Sequence, residues 1–214
     1  MVPPSDDTPE SLDGQVTRDG GRGMSKPWRG VFWNGPFDWP KLREKSPLRE
    51  LRGVYMWTVE SDAGFVVAGF GITKRPVSQR MGEHSREILK GKYTLLDLDA
   101  MRQGIRKEIW HGMWAGHDSD ERKAEFARRE EELKDVARQQ MAAFKIFVAE
   151  VSDVRMQHRM EAALMAALYD APEPYCGLPD RGMHLVPRRE NEPPITLANK
   201  PDGLFINLPE TVIV

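Results

Sequence analysis

The sequence predicts an α+β fold in which a small sheet is flanked by helices, and three stretches carry that prediction. Gly53–Val59 and Gly64–Gly71 are short runs rich in Val, Tyr, Trp, Phe and Thr, and the polar turn Glu60-Ser61-Asp62-Ala63 between them completes a β-hairpin signal. After Pro76 the apolar residues Val77, Met81, Ile88 and Leu89 return at helical spacing, so a helix follows the hairpin. Much later, KIFVAEV (145–151) reads as a third strand, and Ser152-Asp153 caps a helix running through VRMQHRMEAALMAALYD.

In chain order, residues 1–23 are rich in Pro, Gly, Asp and Ser and nearly lack large apolar side chains. Such a segment cannot offset its ordering entropy by burial, so a disordered acidic tail is expected. Residues 24–52 form an aromatic arm and linker. WRGVFWNGPFDWP places Trp28, Phe32, Trp33, Phe37 and Trp39 among Gly and Pro, which argues against a regular helix. An arm that lays its aromatic side chains on the core is the expectation, and a stacking surface for bases is the alternative. Residues 41–52 are a basic linker or short helix.

Gly91 ends the first helical periodicity and opens an insertion over about 91–143 within a domain spanning 53–170. Its stretch from Met101 to Trp114 mixes bases with aromatics and would either contact a target or widen the core. His111 and His117 flank Trp114 with no recognisable metal-site spacing. Asp118-Ser119 then predict the N-cap of one long charged helix, with Phe126, Leu133, Val136, Ala137 and Met141 as its apolar stripe. The Pro-rich extension 171–214 is expected to pack on the same domain, with an edge strand at Leu204–Leu208.

Composition bounds the function classes. Hydrophobic residues make up 40% and charged residues 30% of 214, which fits a soluble globular chain. No apolar run reaches membrane-spanning length and the N-terminus has no secretory pattern, so a cytoplasmic protein with no membrane partner is expected. The single cysteine, Cys176, forms no internal disulfide, and no Cys/His cluster has zinc spacing. The net charge of −2 divides unevenly: the tail holds five acids and two arginines, whereas Gly71–Lys92 holds six bases and two acids. That local excess suits either a phosphate backbone or a solvated helix face.

The stretch 53–84 also carries candidate chemistry. Arg80 and His84 lie four apart, so they project from one helix face beside the Gly69-Phe70-Gly71 turn. Gly69-x-Gly71 lacks the third glycine and the lysine of phosphate-binding loops, which argues against a nucleotide site. Glu161 falls at the edge of the stripe Met156, Met160, Ala163, Leu164 and Ala167, where a carboxylate can line a cleft while its stem is packed. A surface ion pair with Arg155 or Arg159 is the competing reading. His158 and Glu161 could also form half of a di-metal site, but no second pair accompanies them.

Gly53-Val54-Tyr55, then Gly69-Phe70-Gly71, Arg80, His84 and Glu161, in that order, resemble the GIY-YIG nuclease family over roughly Gly53 to Tyr169. The resemblance implies a small mixed sheet of three strands flanked by helices, and a metal-dependent endonuclease that hydrolyses phosphodiester bonds in DNA. It implies Mg²⁺ or Mn²⁺ as cofactor with Glu161 as its ligand, Arg80 on the scissile phosphate, Tyr55 orienting or deprotonating a water, and His84 as relay. Nucleic acid, DNA ahead of RNA, is then the partner, and cutting both strands calls for a homodimer or successive nicking. The family's second tyrosine would fall at Gly69, and Tyr93 is a candidate substitute. Two other readings stay open: a catalytically impaired nucleic-acid-binding module of the same fold, and a protein-interaction domain using the aromatic arm.

Overall fold

The computed structural model describes residues 28–43, 50–114, 117–200 and 204–214; the acidic tail and linker residues 44–49 lie outside the described residues. The arm folds as β1 (Trp28–Phe32) and β2 (Asn34–Asp38), with a 3-10 turn over Pro40–Arg43. The expected hairpin is β3 (Gly53–Ser61) and β4 (Gly64–Thr73), and α1 (Val77–Ile88) follows it. The insertion supplies β5 (Leu95–Leu96), α2 (Leu98–Arg102), β6 (Glu108–Trp110), α3 (Asp120–Arg128) and α4 (Glu130–Ala143). Then come β7 (Phe144–Glu150), α5 (Val154–Tyr169), β8 (Thr196–Lys200) and β9 (Thr211–Ile213). The chain is α+β, as its sequence predicts.

The main sheet has the order β2-β7-β3-β4, with every neighbouring pair antiparallel. It is therefore neither three-stranded nor mixed. The fourth strand comes from the arm, because β2 pairs with the free edge of β7 and seats Trp39 against Phe144, ring centroids 5.8 Å apart. Parallel pairing occurs in a second sheet, β1-β8-β9, where β1 runs parallel to β8. Trp33 and Trp39 are buried while Phe32 is 73% exposed, so the arm delivers part of its aromatic surface to the core.

Alternation along β3 sends side chains to two cores. Tyr55, Val59, Ile146 and Val148 face α1 and the insertion, together with Val77, Met81 and Leu133. Val54, Met56 and Phe147 face α5, with Met160, Leu164 and Leu168. The two helices thus cover opposite faces, and β4 is an edge strand between them.

Two expected elements differ. The charged helix over 120–143 is broken at Arg129, which has left the helical basin at φ −111° and ψ 13°. Phe126 packs on Trp110 of β6, centroids 5.6 Å apart, whereas Leu133, Ala137 and Met141 face the main core. One straight axis does not serve both surfaces. Leu204–Leu208 is not a strand; it makes a single bridge, Phe205 to Phe65, and lies between β8 and β9. Its purpose is visible in the hydrogen bonds. Phe65 N donates to Leu204 O (3.0 Å), Ile206 N donates to Phe65 O (2.9 Å), and the Asn207 amide receives from Val67 N and gives to Val67 O. This covers the first half of the β4 edge; beyond it Phe70 N donates to Met165 Sδ of α5 at 3.4 Å.

Among the described residues no helix is long and apolar enough to cross a membrane.

Candidate active site

Tyr55, Arg80, His84 and Glu161 all line one cavity of about 320 Å³. Arg80 and His84 come from α1, and Glu161 comes from α5 on the other face of the sheet; the two sides meet across the second half of the β4 edge. A bulge at Ala68 sets this geometry. Thr58 pairs with Val67 but Trp57 pairs with Gly69, so one residue of β4 is extra. Downstream of it Gly71 lies opposite Tyr55 and Phe70 opposite Met56; an unbulged register would turn Phe70 onto the Tyr55 face.

Both outer glycines of the two triplets have steric reasons. Gly53 has φ +143°, and a Cβ there would lie 2.6 Å from Val151 N. A Cβ on Gly71 would lie 2.5 Å from Tyr55 Cζ, so the tyrosine ring rests on bare backbone. Gly69 is different: a Cβ would meet nothing within 4 Å.

Tyr55 and His84 are nearly fully buried and bonded, Tyr55 Oη to His84 Nε2 at 2.8 Å. The other imidazole nitrogen, Nδ1, bonds Tyr93 Oη at 2.7 Å. The imidazole is thus held between two phenols. Burial, and then the charge of Arg80, lower the His84 pKa to about 3, so the ring is neutral and has one donor nitrogen and one acceptor. Burial pushes the Tyr55 pKa up to about 12, with Arg80 opposing. The rings of Trp57 and Trp39 pack around His84, Trp57 edge-on at 5.0 Å.

Arg80 has the side chains of Tyr55 and Glu83 as its partners. Its Nη1 reaches Glu83 Oε2 at 3.3 Å, but Glu83 is already bound by both Arg75 Nη1 (2.6 Å) and Nη2 (2.8 Å). Its buried Nε has no partner among the described residues. Glu161 is 8% exposed, and neither expected ion pair forms: Arg155 binds Glu192, and Arg159 donates to Pro193 O and Val214 O. Burial raises the Glu161 pKa to about 7, with Arg80 opposing. No group of three His, Cys, Asp or Glu side chains gathers among the described residues. A lone carboxylate at a cavity could hold a hard cation that keeps most of its waters, and it could not form an all-protein cage.

Comparison with known proteins is silent: no family model, curated protein or solved structure matches this chain. The site therefore has to be read from its own geometry.

Sequence reasoning named all four of these residues and also pointed to Tyr93. It missed Arg106, whose Nη2 binds Asp180 Oδ1 (2.7 Å) and whose Nη1 binds Leu178 O (2.9 Å), fixing one wall of the cavity. Residues more than 70 positions apart leave no local signal of such a bond. His111 binds Glu108 (2.9 Å) and packs its ring at a tilt against Trp114, centroids 4.6 Å apart, outside this cavity. Arg188 donates to Glu192 O and Arg189 N to Glu192 Oε2, so the latter pair braces its own loop.

Proposed function

We propose that this protein is a divalent-metal-dependent endonuclease of GIY-YIG type, hydrolysing phosphodiester bonds in DNA. The observation that carries the reading is the hydrogen-bonded line Tyr55–His84–Tyr93 beside an arginine whose Nε has no partner among the described residues and a buried carboxylate with no salt bridge among them. Phosphodiester hydrolysis asks for these groups: a route for the proton of an attacking water, a fixed positive charge on the phosphoryl oxygens, and a cation site.

Arg80 binds the scissile phosphate, through the Nε that lacks a partner, and its guanidinium stays protonated throughout. Glu161 would hold Mg²⁺ or Mn²⁺, which would supply charge to the phosphoryl oxygens and acidify a water. Tyr55 with a pKa near 12 does not lose its proton to solvent at neutral pH. It acts as a conduit instead. With His84 Nδ1–H donating to Tyr93, the acceptor nitrogen Nε2 faces the Tyr55 hydroxyl, and the phenol passes its own proton there as its oxygen takes one from the water. A phosphate on Arg80 offsets the second cause of the low His84 pKa and makes the imidazole a better acceptor. Tyr93 Oη bonds the Nδ1 side and so fixes the orientation of the imidazole.

Incubation of supercoiled plasmid with the purified protein in Mg²⁺, Mn²⁺ or EDTA tests this. Nicking that needs metal and is lost in Glu161→Ala and Arg80→Ala is the expected result. Equal cutting by wild type and Glu161→Ala, or none under any condition, overturns it; gel retardation without cutting would favour a binding module of the same fold.

A further inference from the structure

The insertion and the C-terminal extension enclose the site. Leu96, Met101 and Gln140 come from the first, and Leu178, Asp180 and Met183 from the second. The second wall is braced: Arg106 binds Leu178 O and Asp180, and Tyr169 Oη donates to Asp180 O at 2.9 Å. At about 320 Å³ the cavity lies near the small end of ligand pockets, far too narrow for a duplex. The rings of Trp57, Tyr93 and Phe144 line it, offering flat apolar faces.

Two observations say what is missing from it. Trp57 Nε1, like Arg80 Nε, is buried with no partner among the described residues. A buried N–H without an acceptor is costly, so a ligand that brings one acceptor to Trp57 and an anion to Arg80 completes the site. Gly69 also lines the cavity, and its Cβ direction is open for 4 Å. A tyrosine there would stand in the space; glycine leaves it vacant for a planar group.

We propose that the cavity receives one unstacked nucleobase of the substrate strand, next to the phosphate on Arg80. A base has a π-face for the aromatic lining and ring acceptors for Trp57 Nε1–H, and its own backbone supplies the phosphate. This rests on the nuclease reading and names its substrate class: DNA in which a nucleotide leaves the stack cheaply, because it is mismatched, damaged or single-stranded.

The test uses the full-length Glu161→Gln protein, which binds without cutting, and fluorescence anisotropy on a matched duplex, the same duplex with one central mismatch, and the corresponding single strand. The mismatched duplex and the single strand are expected to bind about tenfold or more tightly than the matched one, since the unstacking cost is already met. Gly69→Tyr fills the cavity and abolishes the preference. Trp57→Phe, which keeps a ring and removes only the N–H, reduces it several-fold. Circular dichroism verifies that each variant is folded, and the Trp57 variant decides the matter if the Gly69 variant is not. Equal affinity for all three DNAs, or a preference that survives Gly69→Tyr in a folded protein, overturns the inference. If matched plasmid is still cut in a metal-dependent way, only this inference has failed; if no DNA binds at all, the nuclease reading has failed with it.

Discussion

The ring of Tyr55 rests on the backbone of Gly71 so closely that any side chain at position 71 would displace it, its Cβ falling 2.5 Å from Tyr55 Cζ. The pairing of these two residues across β3 and β4 ties the second triplet to the first. Gly71→Ala is therefore expected to move the phenol off His84. A displacement of about 1 Å costs about 100-fold in turnover, while the loss of stability stays near 1–3 kcal/mol. Metal-dependent plasmid nicking and a thermal melt, measured together, check this; an Ala variant that cuts at the wild-type rate refutes the placement of Tyr55.

Tyr93 is the second test of the line. Tyr93→Phe removes the partner of His84 Nδ1 and leaves that nitrogen buried without a hydrogen bond, so cleavage should fall on the order of 10–100-fold with substrate binding retained. Tyr93→Phe combined with Tyr55→Phe should cost no more than Tyr55→Phe alone, since the two hydroxyls act through one imidazole. Additive losses in the double variant would separate them.

His84 sets a pH window for stability. Its folded pKa, about 3, lies below the ordinary histidine value, so between the two the unfolded chain binds a proton that the native protein does not. Stability contributed by the neutral ring is complete above the ordinary value and is lost as pH falls toward 3. Imidazole NMR shifts should show His84 neutral at pH 5, and a protonated His84 there would refute burial as the force that holds the ring neutral.

Glu161 works in the opposite sense. Its pKa, raised from 4.5 to about 7, makes ionisation a cost that accumulates as pH rises through that interval. In EDTA, Glu161→Gln should melt at the wild-type temperature at pH 4 and above it at pH 8, by a margin on the order of 1–2 kcal/mol after allowance for the solvent in the cavity. A difference that does not change with pH would show that the carboxylate is not the group in question.

The hairpin, α1, β7 and α5 were legible because each is a local pattern: β-rich runs about a polar turn, helical spacing after Pro76, an Asp153 cap. The arm was harder. Its glycines and prolines hide strands whose pairing partners are β7 and β8, more than 100 residues away. The ordered landmarks picked out four side chains that line one cavity, but its enclosure left no trace in the sequence. The wall built from Arg106, Leu178 and Asp180 depends on side chains meeting across the whole fold, and the break at Arg129 depends on which surface each half of the helix faces.

The Asn207 clamp on Val67 bears on timing as well as on architecture. A hairpin closes early, since its contacts are short in sequence, yet the residue that grips β4 beside the Ala68 bulge is synthesised 140 positions later. Until residues 204–207 are in place, Val67 lacks the partner that holds β4 on the outer side of the bulge, and the register that sets Gly71 under Tyr55 rests on the β3–β4 pairing alone. A chain that has not yet placed Asn207 would carry Tyr55, Arg80 and His84 without the clamp that flanks the bulge between them and the start of β4.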